Sequence, residues 1–206
     1  MTVHALGNII VEQQQEGTLC WASLTRAILL QLDMDSPDQL GLRDEFKAVS
    51  NQSADLVRGQ FSIAKALKPR GIECLDERVK IESLDDKIDY VHGVGAALSA
   101  SLDDGRPVVF GITTSDRPGL EKLEGGGTVA FRRALLVHSY DDVTKTVGFM
   151  DPARGDNAAR AVPLGSMLSG FPYAYPADLG VKMAALVKLP RKLFCRVYQI
   201  IYPQRP

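Results

Sequence analysis

Cys20 begins an apolar run at helical spacing, and Gln14 stands six residues before it in Gln14-Gln15-Glu16-Gly17-Thr18-Leu19-Cys20-Trp21-Ala22-Ser23. A thiol in the first turn of a helix faces aligned backbone N–H groups and the positive end of the helix dipole. Both favour thiolate, so the Cys20 pKa is expected below the free value of ~8.5. Trp21 can pack the helix into the core while the sulfur stays at the surface. Gln14, one loop earlier, can aim its side-chain NH2 at the oxygen of a tetrahedral intermediate, with the Cys20 N–H as second donor. Losing one such donor typically costs about 10²–10³ in rate. The chemistry on offer is nucleophilic acyl transfer.

Several elements must position these groups. Trp21, Leu24, Ile28 and Leu32 recur at helical spacing behind Cys20, with Thr18 as N-cap, and this helix ends before Asp35. A second helix is expected from Ser36 as cap and Pro37 in the first turn, through Leu42, Phe46 and Val49. A third spans about Gln60 to Lys68 and is stopped by Pro69 and Gly71. Strand character follows at Ile72–Val79, then a helix at about Gly95–Leu102. Pro107–Ile112 reads as a buried strand. Thr114–Gly127 reads as a loop in which Gly125, Gly126 and Gly127 form a cleft rim, since no Lys and Ser/Thr follow to make a nucleotide cradle. Val129–Tyr140 and Thr146–Met150 form a hairpin. The chain is loop-like to about Gly165, and Phe194–Tyr202 is a closing strand. Helices first and strands later predict an α+β protein. A helical lobe covers about residues 1–104 and an antiparallel sheet lobe about 105–206.

Composition narrows the function classes. A net charge of −1 over 206 residues gives no long-range attraction for nucleic acid or an acidic membrane. No apolar run reaches the ~18 residues that span a bilayer, and the N-terminus lacks the regions of a secretory signal. The expectation is a protein cytoplasmic at synthesis, with export as an effector left open. The three cysteines, Cys20, Cys74 and Cys195, have no close spacing, which argues against a disulfide framework and a zinc site. Cys74 and Cys195 read as core residues. No metal or organic cofactor is implied.

Gln14, Gly17, Cys20, Trp21 and Ala22 resemble the nucleophile segment of the papain-like cysteine peptidase superfamily. The closest likeness is to its compact bacterial branch, which includes bacteriocin-leader-processing and effector peptidases. Gly105-Arg106-Pro107-Val108-Val109 is similar to the strand before that family's histidine segment. Leu136-Val137-His138-Ser139-Tyr140-Asp141-Asp142 is similar to the end of the histidine strand. Phe149-Met150-Asp151-Pro152 is similar to the segment whose Asp orients the base. The resemblance implies a papain-like α+β fold in one domain and a peptide or protein substrate. It makes Cys20 the nucleophile, Gln14 the oxyanion donor and Asp151 the orienter.

The chain departs from the family at the base. Counting from Ser139, which fills a family glycine position, puts Arg133 where the histidine belongs. Arginine stays protonated in proteins and cannot act as a general base. His4, His92 and His138 are the only histidines. His138 is assigned the base role because it lies on the right strand, but it is five residues from Arg133. An odd offset points it to the other face unless a β-bulge intervenes, and no glycine within Arg133–Ser139 advertises one. Three arrangements stay open: His138 acts through a bulge or a shifted register, a distant histidine such as His92 enters the cleft, or no base exists. The last would leave a papain-like scaffold that binds a peptide or protein partner.

Overall fold

Val108, Val109, Phe110 and Ile112, like Ala134 to Val137, are apolar at consecutive positions. That pattern belongs to strands covered on both faces. Both segments lie at the centre of one antiparallel sheet, and all of these residues are buried. The computed structural model describes residues 2–15, 19–50, 61–79, 84–115, 131–154, 160–174 and 192–206.

Among the described residues the sheet has eight strands. They are β1 (Val3–Ala5), β2 (Cys74–Arg78), β3 (Val108–Ser115), β4 (Phe131–Asp141), β5 (Thr146–Met150), β6 (Arg160–Pro163), β7 (Phe171–Ala174) and β8 (Lys192–Pro203). Their order is β2-β8-β3-β4-β5-β6, with β1 on β4 and β7 on β8. The helices are α1 (Cys20–Gln31), α2 (Gln39–Ser50), α3 (Phe61–Leu67), α4 (Leu84–Asp103) and α5 (Leu164–Ser169). The protein is α+β with an antiparallel sheet. The expected division near residue 105 is not clean, because β1 and β2 come from the first half of the chain and pair with β4 and β8.

Helix α1 buries Trp21, Leu24 and Ile28, and Trp21 meets Phe46 of α2 with ring centroids 5.3 Å apart. Its N-cap position is Leu19, with no side-chain cap bond, and the expected cap Thr18 lies outside the described residues. Helix α2 starts later than expected. Asp38, not Ser36, caps it by accepting the Gly41 N–H at 2.7 Å. Arg26 of α1 donates to the Ser36 and Pro37 carbonyls, at 2.7 and 2.9 Å, holding those residues outside the helix. Helix α3 gives way to a 3-10 turn over Lys68–Arg70, ended by Gly71 at φ 77°.

Helix α4 begins eleven residues before the expected Gly95. Gly95 serves packing inside it: a Cβ there would stand 2.4 Å from the Tyr140 hydroxyl. The segment expected as loop to Gly165 contains β6 and the start of α5, while Gly125–Gly127 lie outside the described residues. No helix among the described residues is long and apolar enough to cross a membrane.

Strand β4 carries a bulge. Val137 pairs with Phe149 and Ser139 with Gly148, which leaves His138 as the extra residue. Gly148 makes room for it, since a Cβ there would lie 2.0 Å from the Ser139 hydroxyl and 3.2 Å from His138 Nε2. Gly148→Ala is therefore expected to destabilise the fold by ~1–3 kcal/mol through overpacking. Chemical denaturation measures it, and an unchanged midpoint would show that the bulge can relax.

Candidate functional site

The segment bearing Gln14 is held between two helices and a turn. Glu12 accepts from Arg26 Nε at 2.9 Å, and its carbonyl accepts from Ser23, so α1 grips the segment from one side. Gln39, the first residue of α2, donates its amide to the Gln13 carbonyl at 2.8 Å and accepts the Gln15 N–H at 3.0 Å. Gln14 donates its backbone N–H to the Pro152 carbonyl at 2.8 Å. This places Gln14, 9% exposed, beside the turn that follows β5. Asp151 opens that turn and shapes it by accepting the Ala153 N–H at 2.9 Å.

Asp151 also meets Arg133. Arg133 Nη1 and Asp151 Oδ2 are 3.3 Å apart, with the Arg133 side chain 10% and the Asp151 side chain 1% exposed. The Cys20 thiol shares this neighbourhood. Burial pushes its pKa up, and this effect outweighs the rest. The Arg133 charge opposes it, as do hydrogen bonds from backbone groups of Ala134 and Trp21, while the Asp151 charge adds to it. The helix dipole alone predicts a thiol pKa below the ordinary value; the structure reverses that sign, because desolvation of the thiolate wins. Cys195, fully buried on β8, is pushed up to about 12 by burial and also feels Arg133 and Asp151. Cys74, half-buried on β2, rises to about 11.

The structure therefore brings Cys20, Gln14, Asp151 and Arg133 together. It does not bring His138 to them. On β4 the Ala134 backbone hydrogen-bonds the thiol and the neighbouring Arg133 charge reaches it, and His138 lies five residues beyond Arg133, about 16 Å away by strand rise. The bulge does not help, because its extra residue is His138 itself and it shortens nothing between the two. Among the described residues His138 Nε2 is buried without a hydrogen-bond partner, and burial pushes the imidazole below its ordinary pKa. The other histidines lie on other elements. His92 is exposed on α4, and His4 bonds to Asp103 at 2.6 Å. Gly17 of the nucleophile segment lies outside the described residues.

Gln39 is the member of this neighbourhood that sequence reasoning missed. Its position at a helix start carries no sign of a partner more than twenty residues away. Among the described residues, no group of three or more His, Cys, Asp or Glu side chains is placed to hold a metal ion. A scan against protein-family models finds no match, and a search of curated proteins finds none either.

Proposed function

We propose that this chain is a papain-like protein in which the cysteine-peptidase centre serves as a binding cleft. It takes an extended peptide, or a segment of a protein partner, past Cys20. The observation that carries this reading is the Arg133–Asp151 ion pair beside the thiol. In a peptidase of this kind the group between thiol and carboxylate removes a proton and returns it to the leaving amine. A guanidinium does neither. The raised thiol pKa points the same way, since little thiolate forms at neutral pH. This reading assigns the Gln14 carboxamide and the Cys20 N–H as the donors to a bound peptide carbonyl.

A second reading is supported by the convergence of Cys20, Gln14 and Asp151. It is a cysteine peptidase or related thiol acyl-transfer hydrolase acting on peptide or amide bonds. It requires a base beyond the described residues around Cys20. His138 does not meet that need, given its separation along β4.

Incubation with a peptide library, followed by mass spectrometry, separates the two. The binding reading expects peptides retained intact by the wild type and lost when Cys20→Trp fills the cleft. Cleavage products that disappear in Cys20→Ala would overturn it in favour of the hydrolase.

A further inference from the structure

We propose that Gln39 is a positioning residue, which sets the Gln14 carboxamide beside the Cys20 thiol by clamping the chain on both sides of Gln14. Its amide does to residues 13 and 15 what a neighbouring strand would do. One end donates to the Gln13 carbonyl at 2.8 Å, and the other accepts the Gln15 N–H at 3.0 Å. On the other side Gln14 is tied to Pro152 through its own backbone N–H. Three hydrogen bonds thus hold three consecutive residues between α2 and the Asp151 turn. Gln39 is 1% exposed, so its amide is buried, while both of its bonds are part-buried. A buried amide that loses its partners is costly, which makes the clamped position strongly preferred over alternatives. A loop glutamine on an unrestrained backbone would lose rotamer and backbone freedom on meeting a carbonyl oxygen. The clamp removes the backbone share of that cost in advance.

The inference rests on the reading that Gln14 and the Cys20 N–H hold the carbonyl oxygen of a bound peptide. It is tested with N-acetyl dipeptide aldehydes labelled with ¹³C at the aldehyde carbon. The Cys20 sulfur adds to that carbon, and the thiol proton ends on the former carbonyl oxygen. The product is a hemithioacetal with nothing oxidised or reduced, and its oxygen faces the two donors. NMR measures the dissociation constant, and iodoacetamide alkylation of Cys20, which uses no oxyanion donor, is followed in parallel.

Gln39→Met should weaken the hemithioacetal at least about tenfold, as should Gln14→Ala, with alkylation unchanged within about twofold; a lost donor is worth that much or more. If Gln14→Ala weakens the adduct and Gln39→Met does not, the clamp is refuted while the Gln14 reading stands. If neither variant weakens it, or the wild type forms no adduct, the Gln14 reading fails and takes the clamp with it. A parallel fall in alkylation for Gln39→Met would mean general disruption and would also refute the clamp. Should Gln39→Met unfold, Gln39→Glu keeps the acceptor for Gln15 and loses the donor to Gln13. A smaller loss of affinity is then expected, and no loss counts against the proposal.

Discussion

Arg133→His is expected to raise Cys20-dependent amide hydrolysis at least about a hundredfold over wild type. A positioned general base contributes roughly 10²–10⁴ to such reactions, and an imidazole not refined for the task should reach the lower part of that range. The geometry favours the substitution. Position 133 precedes Ala134, whose backbone hydrogen-bonds the thiol, and its present side chain already contacts Asp151 at 3.3 Å. The same carboxylate could accept from an imidazole N–H and leave the other ring nitrogen facing the sulfur. Activated amide and ester substrates in the presence and absence of Cys20→Ala provide the measurement. A folded Arg133→His variant with no gain would show that position 133 is not where a base is needed.

Asp151→Ala should cost ~3–5 kcal/mol of stability, because it removes the carboxylate paired with a buried guanidinium. It also removes the acceptor of the Ala153 N–H and loosens the turn whose Pro152 carbonyl holds Gln14. Asp151→Asn keeps an acceptor for both partners and should lose less than half as much. Urea denaturation of the two variants checks this. Equal, small losses of less than about 1 kcal/mol would mean that the pair is open to water and behaves as a surface contact.

Much of the framework was legible because local pattern and burial coincide. Thr146–Met150 matches β5, and the apolar run at Val108 marks β3. The misses share a cause: the deciding partner is remote in sequence. Gly95 read as a helix boundary, yet it is mid-helix and small so that Tyr140 can approach. The bulge in β4 was sought through a glycine on that strand, whereas the glycine that permits it, Gly148, is on β5. Strands β6 and β7 are only four residues each, too short to show a period. At the site, the resemblance to the papain-like family implied the juxtaposition of position 133 with Asp151 and Cys20, and the chemical poverty of arginine there followed from its residue type. The sign of the Cys20 shift was not readable. The helix start is local and visible, while the burial that outweighs Arg133 and Ala134 comes from packing between elements.

The claim that this thiol is not an activated nucleophile meets its most direct test in the pH dependence of Cys20 alkylation by iodoacetamide, taken as the difference between wild type and Cys20→Ala. A midpoint above the ~8.5 of free cysteine is predicted, because burial disfavours the thiolate more than Arg133 favours it. Rapid, pH-independent alkylation of Cys20 down to about pH 6 would reveal a stable thiolate and contradict the account.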